Sequence, residues 1–370
     1  MVYRYSMRYL AVILPLLTLL SACSSQPTPP VAATPSDSPV QGGFLLEPEH
    51  TGQLQNGDFA FNPDTTRFVD KMVREHGFDR QQLHDVLAQT QRLDWVIRLM
   101  DKQAPTSRPP SEPNGAWNRY RNKFITPDNV QNGVVFWNQY EGALQRAWEV
   151  YGVPPEIIVG IIGVETRWGR VMGKTRIIDA LATLSFAYPR RATFFTGELE
   201  TFLLMARAEG KDPLSLRGSY AGAMGYGQFM PSSFKRYAVD FDGNGHINLW
   251  DPVDAIGSVA NYFKSHGWTK GAPVAVPANG QAPNLENGFK TRYPISTLAA
   301  AGLSPKGSLG DYQEASLLRF DVGTGYQYWY GLPNFYTITR YNHSTYYAMA
   351  VWQLGEAVGR ARKGESMITQ

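Results

Sequence analysis

The feature that most constrains the fold of this chain is an apolar segment that ends in a glutamate. Residues 155–169 read PEIIVGIIGVETRWG, and their apolar positions recur at helical spacing. Ile158, Ile161, Ile162 and Glu165 follow an i, i+3, i+4, i+7 pattern, which predicts that they share one face of an α-helix. We expect that face to be buried, so the chain has to fold around a carboxyl group at the edge of its core.

The position of Glu165 predicts an unusual ionisation. Burial disfavours the charged form of a carboxyl group and therefore raises its pKa. A carboxylic acid that stays protonated near neutral pH can give a proton to a leaving alkoxide, which makes Glu165 a candidate general acid. The alternative is that Glu165 simply ends the apolar stripe and reaches solvent.

The first residues have the pattern of an export signal. Arg4 and Arg8 precede an apolar core at 10–20, and the sequence LSAC ends at Cys23, the one cysteine in 370 residues. The apolar run is too short to span a bilayer as a mature helix. LSAC resembles the lipobox of bacterial lipoproteins, which implies cleavage before Cys23, a lipid on Cys23 and anchoring in the outer membrane of a Gram-negative cell. The alternative is an ordinary cleavage site with a chance cysteine.

The charge of the mature chain excludes one class of partner. Loss of residues 1–22 removes Arg4 and Arg8 from the 35 basic residues, so 33 basic residues face 32 acidic ones. A net charge near +1 gives no electrostatic basis for binding nucleic acid, and we expect none.

Composition and periodicity divide the chain into segments. Short apolar runs between Gly, Pro and Asn follow residue 271, whereas helical patterns dominate on both sides of that stretch. The expected fold class is mainly α (α+β). The predicted segments are a signal (1–22), a disordered tether (23–54), an N-terminal helical domain (55–134), a helical core (135–270), a small β-containing domain (271–335) and a C-terminal helical return to the core (336–370).

Residues 240–251, DFDGNGHINLWD, match the calcium loop of an EF-hand. Asp240, Asp242 and Asn244 supply oxygen ligands at loop positions 1, 3 and 5, and Gly245 permits the turn at position 6. His246 at position 7 would contribute its backbone carbonyl. We expect a calcium ion with a structural role.

The end of this loop departs from the EF-hand pattern. Asp251 stands at position 12 instead of the usual bidentate Glu, so either the loop closes further or Asp254 supplies the ligand. Asp251 is also a good N-cap for a helix that starts at Pro252. The alternative is therefore a capped turn that binds no metal.

A glycine-rich segment lies between predicted helices. Residues 218–234 read GSYAGAMGYGQFMPSSF, and their glycines allow the backbone to approach a ligand closely. Ser219 and Gln228 offer hydrogen bonds there, and Tyr226 and Phe229 offer ring faces. A tight connection between two helices is the alternative.

Four motifs together resemble one family. VETRWG around Glu165, AMGYGQFMPS at 223–232, the calcium loop and RYNHSTYY at 340–347 occur in this order, as in the membrane-bound lytic murein transglycosylase B family. The resemblance extends from about residue 55 onward. It implies a lysozyme-like core at 135–270 and cleavage of the β-1,4 bond between N-acetylmuramic acid and N-acetylglucosamine, with formation of 1,6-anhydro-N-acetylmuramic acid.

The resemblance also assigns roles to residues. The catalytic glutamate of the family falls on Glu165, and calcium is the expected cofactor, with no organic one. Peptidoglycan strands are the expected partner, together with proteins of cell-wall synthesis, at the periplasmic face of the outer membrane. The substrate contacts of the family fall on Tyr120, Arg190, Arg191, Ser219, Gln228, Tyr262, Tyr341, Asn342 and Tyr347, with the two arginines near peptide or sugar substituents.

A single carboxyl group suffices for this reaction because the substrate supplies its own nucleophile, the muramic C6 hydroxyl. A hydrolytic muramidase, the nearest alternative, needs a second carboxylate, for which Asp179, Glu198 or Glu200 are candidates. A peptidoglycan-binding lipoprotein without activity is the alternative from another class.

Overall fold

The computed structural model describes residues 52–102 and 112–365, and α-helices make up most of this part of the chain. Cys23, the predicted signal and nearly all of the predicted tether lie outside the described residues. The described helices are Pro63–His76 (α1), Arg80–Ala88 (α2), Asp94–Lys102 (α3), Ala116–Arg121 (α4), Pro127–Gln139 (α5), Glu141–Tyr151 (α6), Pro155–Thr166 (α7), Ile177–Phe186 (α8), Ala192–Ala208 (α9), Pro231–Tyr237 (α10), Pro252–Ser265 (α11), Ile295–Ala300 (α12), Pro333–Tyr341 (α13) and Thr345–Arg362 (α14), with a 3-10 turn at Pro189–Arg191.

The strands form two antiparallel sheets in the described residues. The strands are Thr175–Arg176 (β1), Arg217–Gly218 (β2), Ala275–Asn279 (β3), Tyr293–Pro294 (β4), Ser304–Pro305 (β5), Glu314–Asp321 (β6) and Tyr326–Gly331 (β7). A two-residue pair joins β1 to β2, and a five-stranded sheet has the order β4-β6-β7-β3-β5. The longest pairing joins β6 and β7, with Leu317 opposite Tyr330.

Helix α7 is the centre of the main core. Ile158, Ile161 and Ile162 are fully buried, as the spacing predicts. All residues of α7 except Pro155, Glu156 and Glu165 are buried, and these three are partly buried. The helix therefore has no exposed face, whereas the sequence predicted one buried face. Helices α5, α6, α11 and α14 surround it.

Glycines let α7 and α14 pack unusually closely. A Cβ atom on Gly160 would lie 2.2 Å from the carbonyl oxygen of Val351, and one on Gly355 would lie 1.9 Å from that of Glu156. Any side chain at either position would push the two helices apart. The contact between α7 and α14 therefore depends on direct packing of one helix backbone against the other.

The N-terminal helices dock on α8. The Phe186 ring at the end of α8 makes edge contacts with Phe59 and Phe68, 5.5 and 5.7 Å between ring centroids. The hydroxyl of Thr183 on α8 accepts the backbone N–H of Leu93, 2.9 Å away. Apolar and polar contacts thus join this part of the chain to the core.

The expected fold class, mainly α with a small β-containing part, is confirmed. Two of the predicted boundaries nevertheless fall inside continuous helices: 134/135 lies within α5 and 335/336 within α13. Gly133 lies inside α5, where a Cβ atom would come within 2.5 Å of Val358 and 2.7 Å of Trp168.

No single helix within residues 52–102 and 112–365 is both long and apolar enough to cross a bilayer. Only α6 and α7 taken as a pair meet those criteria, and they are bent by 118° at the break between them.

Candidate active site

Glu165 lies in the last turn of α7, where the chain reverses direction. Arg167 and Trp168 adopt left-handed backbone conformations, with φ of 50° and 57°. The indole N–H of Trp168 donates to the carbonyl oxygen of Val159 at 3.2 Å, which folds the turn back against its own helix. The carboxyl group is therefore held at the end of a rigid, buried element.

The hydroxyl of Tyr347 donates a hydrogen bond to Glu165 Oε1 at 2.5 Å. Tyr347 is fully buried in the first turn of α14, and the side chain of Ser344 caps this helix by accepting the Tyr347 N–H. The close packing of α7 on α14 thus brings together two residues that are 182 positions apart.

The environment of Glu165 raises its pKa. Although part of the residue is accessible, desolvation by the surrounding protein raises the pKa of the carboxyl to about 7, and the hydrogen bond from Tyr347 opposes this rise. The sequence-based expectation of an acid with a raised pKa is confirmed. At neutral pH, Glu165 is present in both the protonated and the ionised form.

Three tyrosines share this site with the carboxyl group. Burial raises the pKa values of Tyr120, Tyr341 and Tyr347, and the negative charge of Glu165 raises each of them further. The phenols therefore stay protonated and can act as donors. The Tyr341 hydroxyl donates to the Gly227 carbonyl at 2.5 Å, which ties α13 to the glycine-rich segment.

Tyr262 belongs to the wall beside this cluster. Its ring lies 4.8 Å from that of Tyr341 and 5.8 Å from that of Phe229, measured between centroids. Its hydroxyl donates to the Arg340 carbonyl at 2.6 Å. Tyr262 therefore contributes an aromatic surface, while its hydroxyl is engaged with the backbone.

The glycine-rich segment folds on itself as a tight loop. Ser219 Oγ accepts the N–H groups of Ala221 and Ala223 at 3.2 and 2.9 Å, which leaves the Ser219 hydroxyl hydrogen able to donate elsewhere. Gln228 has a left-handed backbone, with φ of 52°, and its Nε2 donates to the carbonyls of Gly225 and Met172 at 2.9 and 3.2 Å. Gln228 thus shapes the loop.

Asn342 follows α13 and is almost completely buried. Its side-chain oxygen Oδ1 has no hydrogen-bond partner in the described residues. An unpaired buried acceptor is costly in a folded protein. This atom is therefore suited to accept a hydrogen bond from a ligand.

Arg190 and Arg191 make their contacts outside this cluster. Arg190 lies 3.7 Å from an Asp101 carboxylate oxygen at the end of α3. The guanidinium of Arg191 lies over the ring of Phe194, 4.4 Å from its centroid. In the described chain, these contacts attach the two arginines to α3 and α9 and not to the side chains around Glu165.

Two supporting residues were not predicted from the sequence. Thr166 Oγ1 donates to the Tyr226 carbonyl at 3.0 Å and so joins the end of α7 to the glycine-rich loop. Asp321 at the end of β6 accepts backbone N–H groups at the start of α4, the helix that carries Tyr120. Only the adjacency of Thr166 to Glu165 offered a signal, since the partners of Asp321 are backbone groups.

The candidate second carboxylates have structural partners. Asp179 pairs with Arg176 at 2.7 Å, and Glu198 accepts both the hydroxyl and the N–H of Ser232. Glu200 lies 2.6 Å from Lys71 Nζ and 2.8 Å from a His76 ring nitrogen. Burial raises the pKa of Glu198 as well, but both of its carboxylate oxygens accept hydrogen bonds from Ser232. Glu165 is the carboxyl group with a raised pKa that lies among the tyrosines of the candidate site.

The predicted calcium loop gathers three carboxylates. Ligand atoms of Asp240, Asp242 and Asp254 lie within 4.8 Å of one another. Burial and the charge of Asp242 raise the pKa of Asp254, although the N–H groups of Phe241, Asp242 and Asn248 stabilise its charged form. A divalent cation would neutralise this concentration of negative charge, so the residues fit calcium.

The other side chains predicted to bind calcium, Asp251 and Asn244, make hydrogen bonds in different parts of the loop. Asp251 Oδ1 accepts the Val253 N–H at 2.7 Å and caps α11, which separates it from the three clustered carboxylates. Asn244 Oδ1 accepts the N–H of His246 inside the loop at 2.9 Å. Asp254 therefore lies with the clustered carboxylates, whereas Asp251 caps α11.

Known proteins resemble this chain over most of its length. A family model described as the transglycosylase SLT domain matches residues 60–356. The chain belongs to this transglycosylase family. Membrane-bound lytic murein transglycosylase B of Escherichia coli (strain K12) is 74% identical to it over 360 residues, which cover 97% of this chain and 99% of that protein.

Solved structures extend the comparison of the transglycosylase fold. The E. coli lytic transglycosylase Slt35 in complex with bulgecin A is 76% identical, with a TM-score of 0.82 over 86% of this chain and 100% of that chain. A structure of Slt35 in complex with calcium has the same identity and coverage, with a TM-score of 0.81. The family expected from the motifs is confirmed, and with it the enzyme class, a lytic transglycosylase of peptidoglycan.

Proposed function

We propose that this transglycosylase cleaves the β-1,4 bond between N-acetylmuramic acid and N-acetylglucosamine, with Glu165 acting first as acid and then as base. Protonated Glu165 gives its proton to the glycosidic oxygen as the bond from that oxygen to muramic C1 breaks. Ionised Glu165 then removes the proton from the muramic C6 hydroxyl as that oxygen attacks C1. The product carries a 1,6-anhydro ring, and the enzyme regains its proton.

The surroundings of Glu165 support both steps. A pKa of about 7 makes the carboxyl a competent acid and a competent base near neutral pH. The Tyr347 hydroxyl stabilises the ionised form between the two steps through its bond to Oε1. Tyr120 and Tyr341 line the same site, and their rings suit the apolar faces of sugars.

The muramic N-acetyl group would bind between two polar residues. The unpartnered Asn342 Oδ1 can accept the amide N–H of that group, and the Ser219 hydroxyl can donate to its carbonyl. In this position the acetamido oxygen can stabilise positive charge at C1 during cleavage. Gln228 contributes by shaping the loop, Tyr262 by its ring, and Arg190 and Arg191 by contact with substituents farther along the strand.

The observation that carries the proposal is the single carboxyl group. Hydrolytic glycosidases of the common type use two carboxylates, and here Asp179, Glu198 and Glu200 are each occupied by structural partners. A reaction with an internal nucleophile needs only one. This favours the transglycosylase reaction over a muramidase that uses water.

Mass spectrometry of the products tests this assignment. Purified murein is digested with the purified protein, and the muropeptides are identified by mass. We expect anhydro-muramic ends, one water lighter than the hydrolytic products. Reducing ends would instead indicate a muramidase with a second carboxylate, and binding without cleavage would indicate a non-catalytic murein-binding protein.

We also propose a structural calcium ion held by Asp240, Asp242, Asn244, the His246 carbonyl and Asp254, while Asp251 caps α11. The clustered carboxylates support this site, and a related structure contains calcium. Saturating calcium should raise the melting temperature by about 5 °C over the chelated protein. Asp254→Asn should abolish this calcium response, whereas the matched variant Asp251→Asn should keep most of it. An unchanged melt after chelation would contradict the site.

For location, we propose that Cys23 carries a lipid anchor and that the chain from Cys23 to about residue 51 forms a tether to the periplasmic face of the outer membrane. The predicted tether reached residue 54, but Leu54 is buried in the main core. The name of the E. coli relative describes that protein as membrane-bound. Radiolabelled palmitate should enter the wild-type protein and not Cys23→Ser. Proteins of cell-wall synthesis are the partners that this location would bring within reach.

A further inference from the structure

An open cleft lies apart from the side chains around Glu165, between the start of α3 and the β1–β2 pair. Its volume is about 480 Å³. We call it the Trp95 cleft, and its lining includes Gln91, Trp95, Lys174, Arg176 and Arg217. None of these residues has a role in the proposed reaction.

The Trp95 cleft carries uncompensated positive charge. Arg176 on its floor is neutralised by Asp179, at 2.7 Å between Nε and Oδ2. Lys174 and Arg217 are exposed at its rim, and in the described parts of the chain no carboxylate lies within ion-pair distance of either. The Arg217 guanidinium instead donates to the Lys174 carbonyl at 3.4 Å, so it is held against the backbone of the other cationic residue of the cleft. The cleft is thus suited to an anion.

The Trp95 cleft also offers an apolar surface to a ligand. Trp95 is 43% exposed, an unusual fraction for so large an apolar side chain, and Leu93 lines the cleft beside it. A ligand that combines carboxylates with aliphatic carbon would match both the rim and this wall. A peptide with acidic residues has this chemistry.

The Trp95 cleft is continuous with the glycine-rich loop of the proposed site. In the β1–β2 pair Thr175 lies opposite Gly218 and Arg176 opposite Arg217. Continuing this register by one residue puts Lys174 opposite Ser219. The backbones here are in close contact, because a Cβ atom on Gly173 would lie 2.7 Å from the Ser219 nitrogen.

We propose that the Trp95 cleft binds the acidic stem peptide attached to the lactyl group of a muramic residue, with Lys174 and Arg217 pairing with its carboxylates. This inference rests on the proposed function, since Ser219 is there assigned to the N-acetyl group of the same sugar. The enzyme would then distinguish strands that carry peptides from strands that have lost them.

The test compares two substrates, intact murein strands and the same strands after an amidase has removed their peptides. The variant is Lys174→Ala/Arg217→Ala, which changes two exposed side chains. We expect kcat/KM on peptide-bearing strands to fall by about 10-fold, mainly through KM, because two exposed charge pairs are lost. On peptide-free strands kcat/KM should stay within about twofold of wild type.

Two matched controls accompany this variant. Lys174→Arg/Arg217→Lys keeps both charges and should behave as wild type on both substrates. Arg292→Ala removes one exposed charge just before β4, where Arg292 pairs with Glu314, and should change neither value. Equal loss of activity on both substrates, or no loss on either, would overturn the proposal.

Direct binding separates this inference from the proposed reaction. Titration calorimetry with a free murein stem tetrapeptide should show binding to wild type that weakens about 10-fold in the double alanine variant. If the wild-type protein produced no anhydro-muramic ends, the proposed reaction would be wrong. The titration would still show whether the Trp95 cleft binds the stem peptide. If the double alanine variant lost binding to anionic phospholipid vesicles but kept wild-type peptide binding, the cleft would belong to a membrane surface and the peptide proposal would be wrong.

Discussion

Glu165 at the end of α7 and Asp321 at the end of β6 are two carboxyl groups that the fold withdraws from water, yet their pKa values move in opposite directions. Burial raises the pKa of Glu165 to about 7, whereas backbone hydrogen bonds lower that of Asp321 to about 2. Glu165 receives one phenolic hydrogen bond. Asp321 receives the N–H groups of Asn114, Gly115, Ala116 and Gly323.

The position of each carboxyl group relative to a helix end shifts its pKa in the direction just described. Glu165 lies in the last turn of α7, where the partial negative charge of the helix end disfavours another negative charge. Asp321 lies at the first turn of α4, where free N–H groups attract one. Burial alone therefore does not determine whether a carboxyl group is ionised; the number of donors facing it does. The first arrangement suits proton transfer, and the second suits anchorage.

The largest expected effect comes from removing the ionisable group itself. Glu165→Gln keeps the shape of the side chain but has no transferable proton, so formation of anhydro ends should fall by about 1000-fold or more. Sedimentation with insoluble murein should show unchanged binding. Residual turnover above about 1% of wild type would contradict the assignment of Glu165 as the catalytic acid. The contrast between Glu165 as an acid and Asp321 as an anchor would then be lost.

The pH profile of wild type reports the raised pKa. Bond cleavage needs protonated Glu165, and the folded pKa lies near 7. We therefore expect kcat/KM to fall about 10-fold per pH unit well above pH 7, measured by release of anhydromuropeptides. A profile flat to pH 9 would mean that Glu165 does not act as the acid.

Tyr347→Phe should shift that profile. The lost hydrogen bond favours the ionised form of Glu165, so its removal raises the pKa and moves the alkaline limb upward by about one unit. The rate at the optimum should drop about 10-fold, because the ionised intermediate form loses its donor. Tyr336→Phe, which removes a hydroxyl from a partly exposed residue on α13, is the matched control. An alkaline limb that moved to lower pH would contradict the expected rise in the pKa of Glu165.

The smallest effect on catalysis is expected at the anchoring carboxylate. Asp321→Asn replaces two acceptor oxygens by one and should cost about 2 kcal/mol of stability, measured by chemical denaturation. In wild type the folded pKa lies below the ordinary value of 3.8, so this stabilisation is complete above about pH 4 and is lost toward pH 2. Activity at neutral pH should change less than about threefold. A loss as large as that of Glu165→Gln would remove the distinction between anchor and acid.

The two carboxyl groups also differ in how far the sequence predicted them. Glu165 was predicted because helical periodicity places it beside Ile158, Ile161 and Ile162, and the structure keeps all three fully buried. Asp321 was not predicted, because its partners are backbone N–H groups that any residue at 114–116 would offer. The spacing of the predicted calcium loop also brought Asp240, Asp242 and Asp254 into one group of candidate ligands, and these three lie together in the structure.

The features of the site that the sequence did not predict depend on contacts between residues far apart in the chain. Nothing in the local sequence connects Tyr347 to Glu165 by a hydrogen bond, because the contact depends on how two distant helices pack. The predicted boundary at 134/135 falls inside α5, where Gly133 packs against Val358 and Trp168, which lie far away in sequence. Resemblance supplied Arg190 and Arg191 as substrate contacts, but their local partners are Asp101 and Phe194.

The packing of α14 against α7 has a consequence for the order in which this enzyme is made. Tyr341, Asn342 and Tyr347 all come from the last thirty residues of the 370-residue chain. As the chain is synthesised, Glu165 precedes by 182 residues the phenol that stabilises its charge. The proposed site is therefore complete only after residues 341–347 have been made and α14 has packed on α7, and a chain cut short before residue 341 would lack it.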